Sequence, residues 1–147
     1  IDAGYIMPDA VDVQLESANV PALVYPGSLV SWNVKVREKF KRGSTSLRVQ
    51  TTAPSGLSNF QWQCVGSGGA SCPNMGSGPL DMSISLPANG ELNLTFSGQV
   101  SAGNFGNIVS TTTAEVIAPR FEFDSSDNAL HVTLRNDRMF AHGFENP

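Results

Sequence analysis

Charge is scarce in this chain of 147 residues, at 15% Asp, Glu, Lys and Arg. The formal net charge of −4 removes the basic footprint that a nucleic-acid partner would need. It is also too small to keep the chain disordered by self-repulsion. Long apolar runs are missing: none approaches the roughly 20 residues that a bilayer-crossing helix requires, so a soluble chain is expected. Cysteine is limited to Cys64 and Cys72. A domain of this length buries roughly 70% of its unfolded surface and needs no dense disulfide framework. Catalytic signatures are absent as well. There is no G-x-S-x-G elbow, phosphate loop, H-E-x-x-H or dinucleotide fingerprint. Two of the 13 acids can always meet in space, but the sequence singles out no pair. Neither an enzyme nor a bound cofactor is expected. Internal repeats at solenoid or propeller periods are also lacking.

What the chain has is alternation. "VDVQLE" sets Val11, Val13 and Leu15 against Asp12, Gln14 and Glu16, and "VSWNVKVR" sets Val30, Trp32, Val34 and Val36 against Ser31, Asn33, Lys35 and Arg37. Period two is the mark of a half-buried strand, because successive side chains leave opposite faces. "LRVQT", "FQWQC", "MSISL", "LNLTFSGQV", "NIVSTTTAEVI" and "LHVTL" continue the series. About eight strands result, with no stretch of helical periodicity and caps. The 14 glycines and 9 prolines punctuate them. Pro26-Gly27 leads into one strand and Pro54-Ser55-Gly56 closes another, while Asn89-Gly90 is a hairpin signal. The fold expected is all-β, an antiparallel β-sandwich, since each strand has one apolar face to hide. Residues 1–10 read as a lead-in, 11–135 as the sandwich and 136–147 as a tail. Residues 66–78, rich in Gly and Ser, read as a loop.

The two cysteines enclose seven mostly small residues. A zinc site wants four ligands in tight pairs, and His131 and His142 are far away. A redox pair would read C-x-x-C at a helix start. A disulfide stapling the loop is therefore expected, with free buried thiols as the alternative. Closing nine residues constrains the unfolded chain by roughly 2.6 kcal/mol on the entropic model. Such a bridge favours an oxidising compartment. Trp62, on the same strand face as Cys64, is expected to pack against it.

Six of the nine basic residues, Lys35, Arg37, Lys39, Lys41, Arg42 and Arg48, fall on two consecutive strands and their connection. Asp2, Asp9, Asp12 and Glu16 crowd the amino end. These poles form a candidate interaction face for neighbouring modules or an anionic glycan, set against an ordinary solvated strand face. Asp124, Asp127 and Asn128 in "DSSDNA" offer oxygen ligands to calcium. The competing reading is a turn in which Asp and Asn bond their own backbone. Tyr5, Tyr25, Phe40 and Phe105 lie in irregular segments, where exposed rings would serve a sugar-binding platform. His131 alternates outward, as a surface residue does.

"PGSLVSWNVKV", "APSGLSNFQWQCVGSGGASC", "LPANGELNLTFSGQV", "STTTAEV" and "DSSDNALHVTL", in that order, resemble a bacterial conserved repeat domain of unknown function. The resemblance covers about residues 11–134. It implies an immunoglobulin-like sandwich, repeated in tandem on secreted or surface-anchored proteins, with Trp62, Cys64 and Cys72 matching its loop staple. The basic "REKFKRGS" departs from the short polar turn of that family. "RMFAHGFENP" is similar to F-A-x-G-F-E endings of proteins exported by Gram-negative bacteria. The absence of an initial Met is compatible with a processed chain. The expected role is a non-catalytic structural or adhesive module of a secreted, periplasmic or cell-surface protein. Its partners would be neighbouring modules, another surface protein or a glycan. A carbohydrate-binding module is the alternative, and a hydrolase accessory domain ranks below that.

Overall fold

The computed structural model describes residues 10–39, 44–103, 106–117, 121–122 and 128–136. Eleven strands occur in them: β1 (Ala10–Val11), β2 (Val13–Ala18), β3 (Leu29–Glu38), β4 (Thr45–Thr51), β5 (Leu57–Ser67), β6 (Met75–Ser77), β7 (Leu80–Leu86), β8 (Glu91–Val100), β9 (Ile108–Val116), β10 (Phe121–Glu122) and β11 (Ala129–Leu134). Nine of them build two antiparallel sheets, one ordered β2-β3-β8-β5-β6 and the other β11-β9-β4-β7. The remaining two, β1 and β10, form a small parallel ladder. This is the all-β sandwich that the alternation calls for, immunoglobulin-like as the resemblance implies.

Each expected strand is present because its apolar positions meet across the layers. Trp32, Phe60 and Phe96 form the centre of the core, with centroid distances of 5.6 to 6.3 Å. Aromatic pairs at this range add roughly 0.5–1.5 kcal/mol each beyond their area burial. Leu47, Val49, Leu80, Leu86, Ile108 and Leu134 cover them from the four-stranded sheet. The inward row of β9 also holds polar residues. Thr112 resolves its burial by a 2.8 Å hydroxyl contact with Thr51 of the adjacent β4.

Three expectations need correction. The turn at Asn89-Gly90 makes no hairpin: β7 belongs to the four-stranded sheet and β8 to the five-stranded one. Gly90 N–H donates to the Pro87 carbonyl at 2.8 Å, and neither Asn89 nor Gly90 adopts a positive φ. The primed turns that pair adjacent strands need positive φ, so this turn instead carries the chain from one layer to the other. Residues 66–78 are not all loop, because Met75–Ser77 adds to β5 as an edge strand. Three residues are too few to show a period. Asp12 does not alternate outward. It is 5% exposed, at the point where the chain leaves β10 and joins β3.

Two backbone positions depend on left-handed geometry. Gly27, at φ 85°, is the third residue of a turn closed by Ser28 N–H on the Tyr25 carbonyl at 3.0 Å. Asn59, at φ 55°, sits in the register shift between Ser58 and Gln61 where β5 pairs with β8. Asn tolerates this region better than most residues, and the bulge turns local side chains toward the outer face.

Candidate interaction face

Cys64 of β5 is bonded to Cys72, eight positions on. Cys64 N–H donates to the Asn74 carbonyl at 2.8 Å, which brings the returning chain alongside β5 and starts β6. The stapled loop seats on the β7–β8 connection. Gly68, at φ 63°, approaches so near that a Cβ would overlap the Asn89 carbonyl. The ring of Trp62 lies over Gly76, its paired residue on β6, where a Cβ would run into the indole. Its role is thus to cover that glycine.

The six basic residues are not brought onto one surface. Lys35 and Arg37 leave the outer face of the five-stranded sheet, whereas Arg48 leaves the outer face of the other. The reason is topological: the connection between β3 and β4 crosses the layers. Each described member has an acid partner: Lys35 with Glu91 at 3.8 Å, Arg37 with Glu16 at 2.9 Å, Lys39 with Asp12 at 3.6 Å and Arg48 with Asp81 at 2.9 Å. Arg37 also donates to Gln14. Hydrogen bonds from the Arg48 guanidinium, and then its charge, hold the Asp81 carboxyl below its ordinary range. Lys41 and Arg42, like Asp2, Asp9, Tyr5, Phe40, Phe105 and His142, lie outside the described residues. The lead-in and the tail do too, except that Ala10 pairs in β1 and Asn136 is buried and bridged to Val24.

Of the calcium candidates, Asp124 and Asp127 lie outside the described residues. Asn128 works as a local clasp: its side-chain amide N–H donates to the Ala114 carbonyl, and its backbone carbonyl accepts Ala114 N–H, both at 2.9 Å. Among the described residues, no group of three or more His, Cys, Asp or Glu converges as a metal site would. His131 touches Thr111 at 2.9 Å on an exposed strand pair. It lines neither groove on the outer face of the five-stranded sheet. Tyr25 is half-buried.

One surface with unused bonding capacity was not legible in the sequence. On the outer face of the five-stranded sheet, Leu29, Ser31, Asn59, Gln61, Ser97 and Gln99 line a groove of about 380 Å³ floored by Gly98. A second depression of about 280 Å³ shares Gln61 and continues across Gln63, Met75 and Ser77. Neither lining contains a charged side chain. Leu29, Met75 and Val65 stand 82%, 67% and 64% exposed on this face. Gln99 donates to the Gly27 carbonyl, and Asn33 donates to Thr95. The amides of Asn59, Gln61 and Gln63 make no side-chain hydrogen bond among the described residues. The alternation that marks these positions as outward was readable. Their assembly into a groove depends on β3, β8, β5 and β6 lying side by side, which sequence order does not reveal.

No protein-family model and no curated protein sequence matches the chain. Solved structures match it in fold. A CARDB domain from Pyrococcus furiosus, crystallised in complex with di-metal ions, superposes with a TM-score of 0.58 and 15% identity, covering 93% of this chain and 98% of that one. A solution structure of that domain gives a TM-score of 0.51 at 15% identity, covering 87% and 96%. The sporulation control protein Spo0M from Bacillus subtilis gives a TM-score of 0.50 at 9% identity, covering 92% of this chain and 55% of that one. At such identities the likeness is one of fold. Among the described residues, no helix is long and apolar enough to cross a membrane.

Proposed function

We propose that this chain is a non-catalytic structural and adhesive module of an exported or cell-surface bacterial protein. It meets its partner protein through the uncharged groove on the outer face of the five-stranded sheet. The observation that carries this reading is the groove itself, free of charge, bordered by exposed Leu29 and Met75 and lined with unengaged amides. The buried centre of a protein interface is depleted of charge and hydrogen-bonded at intervals, and the groove supplies both properties. The Cys64–Cys72 bridge supports an oxidising compartment. The likeness to a bacterial conserved repeat domain supports tandem neighbours in the same chain. Because one fold hosts many functions, the reading rests on the face and not on the sandwich.

The test is saturable binding of the purified module to cell envelopes of the organism that encodes it, compared with Leu29→Asp and Gln61→Arg. Binding that drops at least tenfold in both variants is expected. Binding untouched by both substitutions overturns the reading. So does a cytosolic protein whose Cys64 and Cys72 alkylate without reductant. The unengaged amides also favour a second reading, a neutral glycan as ligand, which a glycan array distinguishes from a protein partner.

A further inference from the structure

Four strands end the two sheets: β2 and β6 in one, β11 and β7 in the other. An end strand presents a row of unpaired backbone N–H and C=O groups, and proteins guard such rows by brevity, charge, proline or a bulge. Two of the four are short or interrupted here, and a third is capped at its end. Strand β6 is guarded by brevity, with three residues. β2 is cut short at Asp12, where the chain passes to the β1–β10 ladder. The chain just beyond β11 is covered by Val24, whose N–H donates to the Arg135 carbonyl at 2.9 Å and which bridges Asn136.

Strand β7 is different. Prolines flank it, at Pro79 and Pro87, but its seven residues, "LDMSISL", make it the longest of the four, include no proline, lysine or arginine and run in unbroken register against β4. Its one charge, Asp81, is bound by Arg48. Among the described residues nothing pairs with its outer side.

We propose that β7 is a self-association edge. Two copies of the chain pair their β7 strands antiparallel about a two-fold axis at Ser83, joining their four-stranded sheets into one of eight. The sequence of the strand is self-complementary in this register, the one that overlaps all seven residues. Ser83 meets Ser83 of the second copy, Met82 meets Ile84, Asp81 meets Ser85 and Leu80 meets Leu86. The two Asp81 side chains stay four residues apart, about 14 Å along the strand, beyond the roughly 8 Å Debye length of physiological salt. Ile84, only half-buried in the single copy, gains Met82 of the second as cover. Antiparallel pairing over this length makes about six to eight backbone hydrogen bonds. An unrelated strand has no reason to satisfy these matches together, so the occupant is a second copy.

Sedimentation of the full chain from micromolar to millimolar concentration tests the inference, with a concentration-dependent dimer expected. Ser83→Glu is the informative variant. Position 83 faces Arg48 within its own sheet, so a carboxylate is tolerated in the single copy, while the two-fold axis sets two carboxylates against each other. It should weaken the dimer at least tenfold with circular dichroism unchanged. Independently, Ser83→Cys should oxidise to a disulfide-linked dimer, whereas Ser31→Cys, exposed on the other sheet, should not. A monomer at every concentration overturns the inference and leaves the proposed module role standing. A dimer that ignores Ser83→Glu, or equal cross-linking of the two cysteine variants, overturns it as well.

Discussion

The carboxylate of Glu38 accepts the backbone N–H of Asp12 at 2.9 Å, in a site where both residues are at least nine-tenths buried. They are 26 positions apart in the chain, and the contact ties the start of β2 to the end of β3. Lys39 N–H completes the tie on the Asp12 carbonyl at 2.7 Å. Glu38→Ala leaves the Asp12 N–H buried without its acceptor and should destabilise the fold by about 1–3 kcal/mol. Glu38→Gln keeps an acceptor oxygen and should cost less. Urea unfolding of the two variants checks the order.

The Cys64–Cys72 staple holds its loop against the β7–β8 connection. Reducing it should lower stability by about 2.6 kcal/mol, the loop-closure entropy of nine residues. Comparing denaturant midpoints with and without reductant measures this. Far-UV circular dichroism should persist, because the sheets are held by the core and not by the bridge.

Gly76 is a packing glycine: its place under Trp62 leaves no room for a methyl group. Gly76→Ala should push the indole outward and cost about 1–3 kcal/mol, as overpacking does. A red shift of the Trp62 fluorescence, read in a Trp32→Phe background, would report the displacement. An unshifted spectrum would contradict this packing.

Arg48 and Asp81 form an exposed pair with a definite pH signature. The carboxyl of Asp81 is held below its ordinary 3.8 by the Arg48 hydrogen bonds and charge. Its folded value is depressed, so the pair's contribution is present above the ordinary carboxylate range and is lost as pH falls through the folded value. A carboxyl-detected NMR titration should show Asp81 ionising below 3.8 in the native chain. In Arg48→Gln it should return toward the ordinary range. Added salt should narrow the difference between the two.

Alternating side chains determined the sandwich by themselves. Val30, Trp32, Val34 and Val36, or Leu92, Leu94 and Phe96, can hide together only on one face of an extended strand. The cysteine spacing likewise made the loop staple readable, since a short glycine-rich segment can close on itself. What sequence order could not decide was which strands become neighbours. That choice sent Lys35 and Arg48 to opposite faces, turned Asn89-Gly90 into a crossing between layers, and buried Asp12 at a change of pairing partner. It also assembled the uncharged groove from Leu29, Gln61 and Gln99 and, among the described residues, left the outer side of β7 unpaired. Side-chain alternation is a local property of a strand, whereas a surface is a relation between strands distant in the chain, settled only when both layers close over one core.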